Sequence, residues 1–177
     1  MTDNFVPKDH PRYHSLSVRH KLIEAMKKNI VAEAGLIAHG RGEAFDYLLG
    51  EKTPSFAIKQ ERMGVINLLI SNNPVISVNG NVAALCPELV VEFAEAINAK
   101  IEINLFYRTP EREKAIAEVL RSVGAKDIYG IDKNHLDTIE ELSHQRRIVD
   151  KRGIKSSDCV FVPLEDGDRT MALRRLN

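Results

Sequence analysis

Apolar residues in the first third of the chain recur at helical spacing. Leu16, Leu22, Ile23, Met26 and Ile30 fall near a 3.6-residue period while Lys21, Lys27 and Lys28 face away, which predicts a helix from about Ser15 to Asn29. Before it, Pro7 and Pro11 among polar residues give residues 1–14 the character of an extended arm. The segment from Gly35 to Gly40 reads as a break. Glu43 to Leu49 then predicts a short helix closed by Gly50. Phe56 to Ser71 predicts another, with Ile58, Met63, Ile66, Leu69 and Ile70 as its apolar face. Residues 1–72 are therefore expected to form a helical region packed on a core.

From residue 73 the period changes. Val75–Val78 lacks polar alternation, as a strand covered on both faces does. Pro87 opens a helix to about Asn98, its missing N–H costing nothing in the first turn. Ile101, Ile103 and Leu105 alternate with Glu102 and Asn104, predicting a strand with one wetter face. Thr109 and Pro110 start a helix that Gly124 stops near Val123. Residues 125–131 read as a third strand and 159–164 as a fourth, with a helix beginning at Met171. Between them, 132–157 is polar and irregular, with a short helix expected around Thr138–His144. Strands alternating with helices imply βαβ units. The expected fold class is α/β, a Rossmann-like three-layer fold with a mostly parallel sheet and an N-terminal helical extension. Its domains are a helical region at 1–72 and a core at 73–177, together one structural domain.

Composition changes this picture little. The 177 residues carry 25 Lys and Arg against 25 Asp and Glu, with no basic excess for nucleic acid. No apolar run reaches the ~18–20 residues of a membrane span. The two cysteines, Cys86 and Cys159, fit buried reduced thiols, and no Cys/His ligand spacing points to a metal. A cytoplasmic location without membrane or nucleic-acid partners is expected.

The candidate chemistry lies where apolar runs end. In a parallel sheet such ends share one edge, and ligands of open α/β sheets bind there. Asn79, Gly80 and Asn81 follow the first strand. Gly allows a close backbone approach to an anion, although Asn-Gly is also the commonest turn dipeptide. His39, Gly40, Arg41 and Gly42 place an arginine between two glycines. Arg suits phosphate or carboxylate, and His39 suits phosphate binding or proton transfer, while a plain interhelix loop with a solvated arginine remains the alternative. Glu165, Asp166, Gly167, Asp168, Arg169 and Thr170 end the last strand; they read as a ribose, Mg²⁺ or phosphate site, or as an N-cap at Asp168. Walker, G-x-G-x-x-G and G-x-S-x-G motifs are absent.

Five segments in order, 10–19, 34–48, 74–85, 102–109 and 162–170, resemble the archaeal 4-phosphopantoate–β-alanine ligase family, also called phosphopantothenate synthetase. The resemblance covers nearly the whole chain. It implies ATP-dependent joining of 4-phosphopantoate to β-alanine, giving 4′-phosphopantothenate, AMP and pyrophosphate in coenzyme A biosynthesis. It also implies ATP and Mg²⁺ as cofactors and a homodimer. Carried onto matching positions, it implies ATP contacts at Arg19, Arg41, Asp166, Gly167, Asp168, Arg169 and Thr170. Strand-end position makes Asn79, Gly80, Asn81 and Arg108 the expected substrate-binding residues. Arg41 is the expected catalytic cation and His39 a candidate for proton transfer. The family pattern continues with more strand and helix beyond Asn177, so the core is expected to be truncated here. Two alternatives are a small-molecule kinase using the same anion site and a nucleotide-binding module without catalysis.

Overall fold

The computed structural model describes residues 6–140 and 142–164. Among the described residues, six α-helices and a parallel sheet follow the chain in order. Helices α1 (Tyr13–Lys27), α2 (Glu33–Leu49) and α3 (Ser55–Ile70) precede strand β1 (Pro74–Val78). Then come α4 (Gly80–Leu85), α5 (Pro87–Ala96), β2 (Lys100–Ile103), α6 (Pro110–Ser122) and β3 (Ile128–Tyr129). A two-stranded ribbon, β4 (Leu136–Thr138) and β5 (Ile148–Asp150), leads to β6 (Cys159–Phe161).

The sheet runs β3-β2-β1-β6 with every pairing parallel. β1 is central, aligning Ile76 with Ile101 on one side and with Phe161 on the other. On one face Ile76, Val78, Ile101 and Ile103 pack with Leu22 of α1, Val82 of α4, Val90 of α5 and Leu120 of α6. On the other, Val75 packs with Ile139, Val149 and Ile154 from the ribbon and the turn after it. Helices, sheet and ribbon make the three layers of a Rossmann-like α/β fold.

Several expectations change. Residues 35–42 do not break the helix: α2 is continuous from Glu33 to Leu49. Each interior glycine costs a helix about 1 kcal/mol, and the Ala, Leu and Glu around them, with Leu36 packed on the core, offset that. Gly50 ends it at φ 85°, as predicted. Residues 7–12 fold in turns, not an arm, with His10 N–H donating to Pro7 O. The third strand shrinks to two residues, and no described residue of 138–144 is helical.

The wetter face of β2 is the plainest correction. Glu102 and Asn104 are both fully buried. The ribbon brings backbone N–H groups that need acceptors. Glu102 accepts from Asp150 N–H at 3.0 Å and Ile154 N–H at 2.6 Å, while Asn104 donates to Ile148 O at 3.0 Å. These polar residues anchor a long connection rather than face water.

The apolar face expected of α3 is also not buried within the chain. Only Leu68 is buried, while Met63, Leu69 and Ile70 are 55%, 58% and 73% exposed. Phe45, Leu48 and Leu49 on α2 continue this uncovered surface.

Candidate active site

The strand order reverses beside β1: β2 lies on one side and β6, the last strand, on the other. That reversal opens a crevice at the carboxyl ends of the strands. Asn79 stands there, one residue past β1. Its Oδ1 accepts from Val82 N–H at 3.0 Å and caps α4, and its Nδ2 donates to the carbonyls of Pro163 and Leu164 at 3.1 Å. One side chain thus ties the start of α4 to the end of the last strand.

A cavity of about 250 Å³ occupies this crevice. Asn79, Gly80 and Asn81 form its base, and Leu105, Phe106 and Tyr107 line it beyond β2. Ala34, Gly35, Ala38 and Arg41 of α2 form another wall. The first two N–H groups of α4, on Gly80 and Asn81, have no acceptor within the helix. Of two close approaches, one is to backbone and makes glycine necessary, and the other is to a side chain that would have to shift. A Cβ on Gly80 would lie 2.3 Å from Ile30 O, and one on Gly35 would lie 2.4 Å from Asn81 Oδ1. Asn81 Nδ2 donates to Gly35 O at 3.0 Å, binding α4 to α2.

The cavity's described lining carries two arginines and no carboxylate. Arg41 is exposed and has no ion pair among the described residues. Arg112, which the strand-end argument missed, reaches in from the first turn of α6. Its Nη2 donates to Ile30 O at 3.0 Å and its Nη1 to Tyr107 O. Burial pushes its pKa down, and no acid among the described residues opposes that. The available signal was its place three residues after the Thr109 cap, where the helix turns its first side chains back toward the strand end.

The other predicted residues are placed differently. Arg108 does not line the cavity. Its side chain is 8% exposed and pairs with Glu113 at 2.7 Å, and its Nη1 also donates to Gly130 O at 2.9 Å. It braces the loop after β2, because a buried guanidinium takes whatever acceptors surround it. His39 lines neither described cavity; its Nδ1 is buried without a hydrogen-bond partner among the described residues. Arg19 lies on the far side of α2 from Arg41, in a second cavity of about 300 Å³ with Arg12, Glu43 and Tyr47. There Glu43, 8% exposed, accepts from Arg12 at 2.9 Å, from Tyr47 Oη at 2.8 Å and from Arg19. The Tyr47 hydroxyl foremost, with Ser15 and the two arginines, holds the Glu43 carboxyl down to about 2. Asp166, Gly167, Asp168, Arg169 and Thr170 lie outside the described residues; Leu164, which lines the first cavity, is the last described residue before them.

A parallel sheet with a cavity at its order reversal, whose described lining carries arginines and no acid, defines an α/β protein suited to small anions. Comparison with known proteins gives the family. Residues 56–177 match the phosphopantothenate/pantothenate synthetase family, and the chain belongs to that family. It is 57% identical over 172 residues to a 4-phosphopantoate–β-alanine ligase of Thermococcus onnurineus and 56% identical over 172 residues to one of Thermococcus kodakarensis. It is 53% identical over 169 residues to one of Methanosarcina mazei. The matches cover 97%, 97% and 96% of this chain and 65% of each relative's length, so the chain spans a little under two thirds of these curated relatives.

Proposed function

We propose that the protein takes part in ATP-dependent ligation of 4-phosphopantoate and β-alanine to 4′-phosphopantothenate, with release of AMP and pyrophosphate, in coenzyme A biosynthesis. The observation that carries this reading is the cavity at the sheet's order reversal, its described lining holding Arg41 and Arg112 and no acid, in a chain of this family.

The chemistry needs such a site because two polyanions must meet. A 4-phosphopantoate carboxylate oxygen bonds to the α-phosphorus of ATP while the bond to the β-phosphate oxygen breaks, and pyrophosphate leaves. The β-alanine amine then attacks the acyl carbon, the bond to AMP breaks, and the ammonium gives up its protons to solvent. Arg41 stands on α2 beside the Asn79–Asn81 base, where it reduces the repulsion between carboxylate and α-phosphate and stabilises charge in the transition state. The apolar wall of Ala34, Ala38 and Leu105 takes the carbon skeleton of the acid. His39, outside the cavity, is given no proton. Arg19 and residues 166–170 are read as further ATP contacts from the family resemblance.

Mg²⁺ is implied with ATP. The described lining holds no carboxylate, and no group of three or more His, Cys, Asp or Glu among the described residues could hold a metal. The described residues do not form a site for the ion, and the steps above rest on the protein's own side chains.

A second copy of the chain is read as covering the apolar surface of α2 and α3. Seven large side chains there, Phe45, Leu48, Leu49, Phe56, Met63, Leu69 and Ile70, are each more than half exposed. Light scattering should give twice the chain mass; a monomer at micromolar concentration refutes this part. Free Cys86 and Cys159 fit a reducing compartment such as the cytoplasm. No described helix is long and apolar enough to cross a membrane.

Chromatography of the nucleotide products tests the reaction. With ATP, 4-phosphopantoate and β-alanine, AMP and pyrophosphate are expected. ADP and phosphate would point to the kinase alternative, and ATP binding without turnover to a non-catalytic module.

A further inference from the structure

The N-terminal turn of α6 and the loop before it carry two arginines, four residues apart, with opposite fates. Arg108 is neutralised by Glu113 and lies outside the cavity. Arg112 lines the cavity and has no carboxylate partner among the described residues. Its Nη1 and Nη2 each hold one backbone carbonyl, which fixes the guanidinium but neutralises nothing. Each terminal nitrogen has a second N–H, and Nε is buried without a partner. Gly80 leaves room for the group: a Cβ there would sit 3.0 Å from Nη2. A half-buried, immobilised cation that borders a cavity and has no acid partner among the described residues is costly unless something negative completes it. The amide nitrogens of Asn79 and Asn81 are already committed to carbonyls, so they do not compete for that role.

We propose that Arg112 is the substrate-binding residue that takes the phosphate of the phosphorylated acid and makes the site select it over the unphosphorylated acid. This rests on the ligase reading above. The guanidinium, held from behind by Ile30 and Tyr107, offers its remaining N–H groups to the phosphate oxygens. Arg41, on the facing wall, is left for the carboxylate end and ATP. Losing a charge-assisted contact of this kind weakens binding about 10- to 100-fold.

The test is calorimetry on the full-length protein, wild type, R112A and R112K, titrated separately with 4-phosphopantoate, pantoate and an ATP analogue. R112A is expected to weaken 4-phosphopantoate about 10- to 100-fold. Pantoate and the ATP analogue should stay within about twofold of wild type, so that the preference for the phosphate collapses. R112K, which keeps the cation, should recover part of the loss and guards against a folding defect in R112A. Equal weakening of phosphorylated and unphosphorylated acid, or weakening of the ATP analogue alone, overturns the proposal, as does unchanged 4-phosphopantoate affinity. The two readings fail separately. A wild-type protein that yields ADP, or no product, defeats the ligase reading, whereas AMP production with a phosphate-indifferent R112A defeats only the role of Arg112.

Discussion

The two faces of α2 hold arginines in opposite electrostatic states. On one face Arg12 and Arg19 converge on buried Glu43, which supplies their counter-charge from within the chain. On the other, Arg41 and Arg112 border a cavity with no acid in its described lining. Both arrangements use the same residue type near the same helix. The difference shows that an arginine's meaning is set by whether the fold supplies its counter-charge. A paired guanidinium mainly holds structure, and an unpaired one beside a cavity is available to a ligand.

The largest expected effect comes from the unpaired side. Arg41→Ala should lower AMP formation about 10²- to 10³-fold with the melting temperature unchanged, since Arg41 is exposed and holds no described partner. Near-normal turnover would erase the contrast. On the paired side, Glu43→Ala should act on stability first. It leaves Arg12, Arg19 and the Tyr47 hydroxyl without their shared acceptor, at a cost of about 2 kcal/mol. A chain of this size should then melt about 4–8 °C lower; calorimetric unfolding checks this, and an unshifted transition would show that the cluster does not stabilise the fold.

Acid separates the faces without mutation. Glu43 titrates at about 2 in the folded chain against an ordinary 4.5, and Asp158, held by Ser71 Oγ and the N–H groups of Asn72 and Asn73, at about 2 against 3.8. Both pKa values are depressed. Their stabilisation is complete above the unfolded values and is lost as pH falls through the range down to about 2. Denaturant midpoints should therefore fall with acid over that window, and Glu43→Gln should flatten the slope; an unchanged slope removes Glu43 as its source. The smallest effect belongs to Gly42, which is helical and has nothing within 4 Å of where a Cβ would stand. Gly42→Ala should add about 0.5–1 kcal/mol of stability and leave turnover intact. A loss of turnover would mean that the position needs its open space for a ligand.

Much of the fold was legible because it is written in local chemistry. Thr109 and Pro110 start α6, Pro87 starts α5, Gly50 and Gly124 end helices at positive φ, and the mainly apolar 75–78 becomes the central strand. Local rules misled at residues 35–42, where Gly35, Gly40 and Gly42 suggested a loop and the bonds to Arg19 of α1 and Asn81 of α4 kept a helix. They misled again at Glu102 and Asn104, where polar alternation meant buried acceptors for a distant ribbon. The site was half legible. Asn79, Gly80 and Asn81, named from their strand-end position, and Arg41, named from its flanking glycines, line the cavity; Arg108 does not, and Arg112, not named from the sequence, does. Glu113 lies close to both arginines in sequence, and only the folded loop shows that it pairs with Arg108.

The order of letters alone settled the alternation of strands and helices in the core, the starts of α5 and α6 and the edge at which chemistry would gather, since caps, turns and apolar periods act over a few neighbours. The strand order β3-β2-β1-β6, the burial of Glu102 and the pairing of each arginine waited for the tertiary structure. Those depend on contacts between residues far apart in the chain, such as Arg19 with Glu43 and Asn79 with Leu164, and only the folded packing determines which charges meet and which are left for a ligand.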